Sequence, residues 1–470
     1  MKGNFLKSLR LLIILAPCVV RAGIASSSVP PSTDTPPRAV FDPKSYGAKG
    51  DGVTYDTAAI QKAIDACAGT KGIVVLKAGR YVSAELTLRG DMTFRVEKGA
   101  ALLGGTNAAD YPVLVPAKTA SKANTRSLLY ACNADNLVIE GGGEIDGRCK
   151  LVQMSGKEKD RPSLIRIFQS TNVTVRDITL RNPRMWTQVY SECDGLLLDK
   201  VTVDAPPDCP NLDGMDLCDC RNVRVVNCLV QSEDDCICLK SHGLRGMADI
   251  IVENNRMTSY RANAIKLGTA TVGPVTRLLF RNNVIDFAKY GGLCIESVDG
   301  AAVSDVKVDG LEMKQVCQPL FIRLGHRGGN LSATDLEPMD RPTGSIDGVL
   351  IERLHAVNGH RITRPSCSIS GIPGADVRNV TLRDCSFVMP GGMTNVPELP
   401  PEREREYPQS NIFGDAPAYG LFIRHAKGIT LENVTFGFDS PDARPWIVSA
   451  EASVSTNGCK DLGLVRAEGK

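Results

Sequence analysis

The sequence predicts an all-β chain coiled as a parallel β-helix, a solenoid closed at its N-terminal end by one short helix. Three observations predict it. A turn residue followed by an alternating apolar strand recurs along most of the chain. The recurrence settles into steps of 23, 27, 27, 28 and 28 residues between positions 172 and 305. The composition is 43% hydrophobic but only 5% aromatic, with 44 glycines, which suits short strands and many turns better than helices.

The first copies are Asn136-Leu137-Val138-Ile139, Asn172-Val173-Thr174-Val175 and Gly195-Leu196-Leu197-Leu198. The pattern continues at Asn222-Val223, Asp249-Ile250, Arg277-Leu278 and Asp305-Val306, and later at Gly348-Val349, Asn379-Val380 and Gly428-Ile429. A period of this length with short strands marks stacked coils, each lying about 4.8 Å above the last. Few segments offer helical spacing, and the first is Thr57 to Cys67, where Ile60, Ala63, Ile64 and Cys67 share a face after Asp56 as N-cap. Such a helix would shield the first edge strands. The stretch from Met389 to Pro417 breaks the rhythm with Pro390, Pro397, Pro400, Pro401 and Glu402-Arg403-Glu404-Arg405, and reads as a long surface excursion walling a groove.

Residues 1–22 read as a secretory signal: Lys2, Lys7 and Arg10 precede an apolar run from Leu11 to Val20, with Val20-Arg21-Ala22 as the cleavage box. A Ser/Pro-rich linker over 23–40 and a β-helix over 41–470 complete the expected organisation. The chain is therefore expected to be secreted, extracellular or periplasmic, with no membrane span once the signal is removed, and monomeric. Basic residues (55) nearly balance acidic ones (53), so no footprint for nucleic acid is present. Removing Cys18 leaves 15 of the 16 cysteines, an odd number whose pairing spacing cannot give. Cys218, Cys220, Cys236 and Cys238 lack C-x-x-C loops or histidine partners, and read as small apolar groups on strands rather than zinc ligands. No metal or cofactor is expected.

The chemistry concentrates at Asn211-Leu212-Asp213-Gly214 and Glu233-Asp234-Asp235, where Asp213 and Asp234 lie 21 residues apart (234 − 213). One coil apart, the three carboxylates would sit side by side on neighbouring rungs. Like charges that close cannot all ionise, so at least one carboxyl should hold its proton, as an acid that protonates a glycosidic oxygen must. Turn chemistry or a calcium site are the other readings of such a cluster. Alternation aligns Met215/Leu217, Ile237/Leu239, Ile265/Leu267 and Leu293/Ile295 as inward pairs. Asp216, Cys238, Lys266 and Cys294 then form one outward column, and Cys218, Lys240, Gly268 and Glu296 the next.

Together with Asn182-Pro183-Arg184-Met185-Trp186-Thr187, Gly141 to Gly147 and Phe41 to Gly52, these motifs resemble glycoside hydrolase family 28, the polygalacturonases. The resemblance runs from about residue 41 to 300 and more loosely to the end. It implies a single-stranded, right-handed, pectin-lyase-like β-helix that hydrolyses pectic polysaccharide by inversion without a metal. It also implies Asp234 as general acid, Asp213 and Asp235 as the groups that hold and activate water, and Asn211 as their orienter. Two departures stand out. Where the family has Gly-His-Gly the chain has Ala262-Asn263-Ala264, and where the family has Arg-Ile-Lys it has Cys294-Ile295-Glu296. Asn263 cannot titrate near neutrality but can bond substrate. Lys240, Lys266 and Arg323 are the candidates for a relocated cationic pocket, against an ion-pair ladder on a solvated sheet face. His242 lies only seven residues after Asp235 and is not read as the missing histidine. Trp186 is a lesser candidate for stacking on a sugar. A β-eliminating lyase and a non-catalytic glycan-binding solenoid are the rival functions.

Overall fold

Every recurring turn residue holds a left-handed backbone: φ is 57° at Asn136, 53° at Asn172 and Asn222, 61° at Asp249, 51° at Asp305 and 82° at Gly348. Asn, Asp and Gly tolerate that region best, which is why they mark the corners. The corner side chains also bond between coils. Asn172 Nδ2 donates to Asn136 Oδ1 at 2.7 Å, and Asn222 Nδ2 to Asp194 Oδ1 at 2.6 Å. Corner chemistry thus supports the stacking as well as the turn.

The computed structural model describes residues 38–113, 126–151, 161–327, 341–357 and 366–465. The expected signal and most of the linker lie outside the described residues. Among the described residues are 32 strands and one α-helix, Thr57–Cys67. The strands pair in parallel from coil to coil, as Val173↔Leu196↔Val223↔Ile250↔Leu278↔Val306↔Val349↔Val380↔Ile429 runs through one ladder. The chain is a right-handed parallel β-helix. No described helix is long and apolar enough to cross a membrane.

The helix buries Ile60, Ala63, Ile64 and Cys67, as its spacing predicts. Asp56 does not cap it through its side chain. Its two carboxylate oxygens accept instead from the backbone of Lys49 at 2.6 Å and Gly50 at 2.9 Å.

The interior of the coil is a continuous apolar stack that includes Met215, Leu217, Ile237, Leu239, Ile265, Leu267, Leu293 and Ile295. Burying side chains of this kind contributes about 1.5–3 kcal/mol each before conformational entropy. Their register carries the outward column Asp216↔Cys238↔Lys266↔Cys294 with it. The next column is less regular. Cys218 faces Lys240, but the ladder slips between Leu239 and Ser241, so Gly268 is not Lys240's direct partner. Both columns are buried, Lys240 at 8% and Glu296 at 1% exposure, so this sheet face is not a solvated one.

The excursion differs in its limits from the sequence reading. Strand Ser386–Gly391 extends past Pro390, so residues 392–420 form the strandless stretch before Leu421–Glu432.

Candidate active site

Asp213, Asp234 and Asp235 are set by the backbone just before two adjacent strands, Met215–Cys218 and Ile237–Ser241. Thr187 N–H donates to Asp213 O, Gly214 N–H to Asp235 O at 2.8 Å, and Cys236 N–H to Asn263 O at 3.0 Å, so four successive rungs are tied at this point. Gly214 is required here, because a Cβ would come within 2.5 Å of Cys236 O and 2.4 Å of Val230. Ser232 Oγ and Ser259 Oγ both donate to Asp234 O, at 2.7 and 2.8 Å, fixing the turn that presents its side chain. One carboxylate oxygen from each of the three aspartates lies within 4.8 Å of the others.

Two lysines enter the cluster from the outward columns. Lys240 Nζ contacts Asp216 Oδ1 directly and stands 3.5 Å from Asp213 Oδ2, while Lys266 Nζ is 3.2 Å from Asp235 Oδ2. Burial opposes both ammonium charges, but Asp216 and Asp235 outweigh it and hold the two lysines ionised. Burial also pushes Asp216 upward, yet a buried ammonium in direct contact needs an ionised partner, so this pair is ionic.

Four carboxyls, Asp213, Asp216, Asp234 and Asp235, therefore share two ammonium groups, and two carboxyls are left to hold protons. Burial raises Asp234 to about 7, helped by the charge of Asp235. Burial and the charges of Asp216 and Asp234 raise Asp213 well above the carboxylate range, because its lysine is the nearer partner of Asp216. Asp235 goes the other way. Burial works to raise it, but Lys266 and the Asn263 amide outweigh burial and hold it low.

Asn263 stands behind the cluster rather than facing the cavity. Its N–H and Nδ2 both donate to Asp235 Oδ1, and its Oδ1 accepts from Gly291 N–H at 2.9 Å. Both polar atoms of that side chain are engaged, and the residue is buried and outside the cavity lining, the place of a positioning residue rather than of a sugar contact. Asn211 lines the cavity, its Oδ1 accepting from Arg161 Nη2 at 2.7 Å.

Arg323 is absent from the cavity wall among the described residues. Its guanidinium donates to Ser370 Oγ at 2.6 Å, Gly371 O at 3.0 Å, Glu402 O at 2.7 Å and Arg403 O at 3.2 Å. Arg323 pairs with Glu296 in the ladder and so continues its outward column, but the excursion folds over that face and consumes its donors.

The cavity itself holds about 300 Å³, and Trp186 and Tyr407 are the aromatic residues of its lining. Each ring covers one lysine: Lys240 Nζ lies 3.6 Å from the Trp186 centroid, and Tyr407 Oη is 3.2 Å from Lys266 Nζ. Tyr407, Arg327 and Thr269 were not legible as site residues, since they reach the cavity through the excursion and the coil ends. His242 also lines it, buried and pushed down to about 3 by burial and nearby cations. The alternation that places Lys240 outward, continued two residues, would have found it. A larger groove of about 560 Å³ lies over Asn222 to Lys307, but Asp249 there is tied to Arg277 at 2.6 Å and no proton-sharing cluster is present.

Known proteins resemble this chain along most of its length. A probable polygalacturonase of Vitis vinifera is 27% identical over 368 residues, 72% of this chain and 73% of the relative. Two solved structures share the fold. An exopolygalacturonase of Yersinia enterocolitica aligns with TM-score 0.66 at 20% identity, over 92% of this chain and 79% of that one. One from Thermotoga maritima aligns with TM-score 0.67 at 17% identity, over 85% and 92%. The model of glycosyl hydrolases family 28 matches residues 64–340, and with the carboxyl cluster inside that span the chain belongs to this family of glycoside hydrolases.

Proposed function

We propose that the chain is a secreted hydrolase of pectin-type polysaccharide, acting with inversion. The observation that carries this reading is the divergence of two adjacent carboxyls, Asp234 raised to about 7 and Asp235 held low. Asp234 gives its proton to the glycosidic oxygen as the C–O bond breaks. Water attacks the anomeric carbon from the opposite face, and Asp235 takes the proton that the water loses. Asp213, raised and facing the same cavity, orients the water as a hydrogen-bond donor, and Asn211 helps to hold the geometry. The relatives named as polygalacturonases support a pectic substrate.

A calcium-dependent elimination fits less well. A cation placed among Asp213, Asp234 and Asp235 would meet the ammonium groups of Lys240 and Lys266, and those same groups, held ionised, are not available as bases.

The test is Asp234→Asn with reducing-end release from mixed pectic polysaccharide as readout. A drop of at least ~10³-fold with an unchanged circular dichroism spectrum is expected if the acid is lost. Near-normal turnover would sink the assignment. The first-formed anomer, followed by NMR, tests inversion separately.

A further inference from the structure

Resting on the pectic reading, we infer that the sugar at the cleavage point is an uncharged one, and that a uronate is excluded because every cation lining the cavity already has a carboxylate of its own. Three permanent cations line the cavity among the described residues: Lys240, Lys266 and Arg327. Lys240 is held by the Asp216 carboxylate and covered by the Trp186 ring. Lys266 is held by Asp235 and covered by Tyr407. Arg327 forms a two-point contact with Asp299, Nε to Oδ1 at 2.8 Å.

A sugar carboxylate brought to this wall would have to displace an internal carboxylate from a buried pair. Breaking such a pair leaves an uncompensated buried charge, which makes the exchange unfavourable. Nothing on the next coil relieves it. Glu296 lies there against Gly268, beside the wall residue Thr269, and neither of its buried oxygens has a hydrogen-bond partner. Burial raises its carboxyl to about 8, and any charge it does carry is negative. What the cavity offers a sugar is instead two aromatic surfaces, Trp186 and the 53% exposed Tyr407, which stack on uncharged rings as readily as on acidic ones.

The experiment compares kcat/KM of the purified protein on three substrates. These are an oligogalacturonide, the same oligomer fully methyl-esterified, and a polymer of alternating rhamnosyl and galacturonosyl residues. The unesterified oligomer is expected to be at least ~10-fold poorer than the better of the other two, since one unmatched charge-assisted contact is worth about that factor. Equal or better turnover of the unesterified oligomer overturns the inference and leaves the pectic reading standing. No hydrolysis of any of the three removes the pectic reading and this inference together. Asp299→Asn supplies the converse test, because it frees the Arg327 guanidinium. The preference against the uronate should narrow by ~10-fold, and an unchanged ratio means that cation saturation does not set it.

Discussion

Asn263 gives both its backbone N–H, at 3.0 Å, and its side-chain amide, at 2.7 Å, to a single oxygen of Asp235. With Lys266 on the other oxygen, this carboxylate is held ionised and immobile in a place where its neighbour keeps a proton. An asparagine thus serves the proposed base from behind, and the base keeps its low pKa without a titrating partner.

Removing that support should affect turnover more than binding. Asn263→Ala is expected to lower kcat by ~10²-fold with KM changed little, as slight misplacement of a reacting group can cost that much. The side-chain amide lowers the Asp235 pKa, so its loss raises that pKa and moves the acid limb of the kcat/KM profile to higher pH, while the backbone N–H stays in place. An unmoved limb would mean that Asp235 is not the base.

The alkaline limb should report Asp234, which must be protonated to act. With its carboxyl near 7, kcat/KM should decline as pH rises through about 7. Lys266 lowers the Asp234 pKa, so Lys266→Met should carry this limb to higher pH in whatever fraction of the variant folds. A pH–rate profile of both proteins decides it.

Stability should fall on the alkaline side. Burial raises Asp219 to about 6, Asp234 to about 7 and Glu296 to about 8 in the folded chain. Carboxyls raised in this way contribute stability that is complete below their unfolded pKa of about 4 and is lost as pH climbs through the folded values. Tm should therefore drop between pH 5 and 9, and Glu296→Gln should remove the uppermost part of the drop. A Tm that is flat over this range contradicts the argument.

The excursion depends on Arg323. Four donor contacts join the Ser370-Gly371 turn to the carbonyls of Glu402 and Arg403, and Arg424 adds a contact to Pro400 O. Arg323→Met should cost about 3 kcal/mol or more, since it strands buried carbonyls. It should also speed proteolytic nicking near residues 402–407 and raise KM several-fold through Tyr407. The limbs of the pH profile should stay in place, because no proton-carrying group is touched.

The coil was legible because its signals are local. A corner residue that must adopt positive φ, and side chains that alternate in and out with period two, are written into each stretch of about 27 residues. That same alternation sets Asp213, Asp234 and Asp235 side by side and puts Lys240 and Lys266 on the outward face. Three things were decided only by tertiary structure. Counter-ions were one: four carboxyls and two ammonium groups divide their protons by distance and burial, which no spacing reports. The direction of Asn263 was another, since a residue just before its strand can turn toward substrate or back onto its neighbour. The third was the excursion of 392–420, whose contacts span up to 141 residues from Tyr407 to Lys266 and turn Arg323 from a candidate pocket cation into an anchor. The three aspartates belong to the sequence, but which of them holds a proton depends on a buried environment assembled from distant coils.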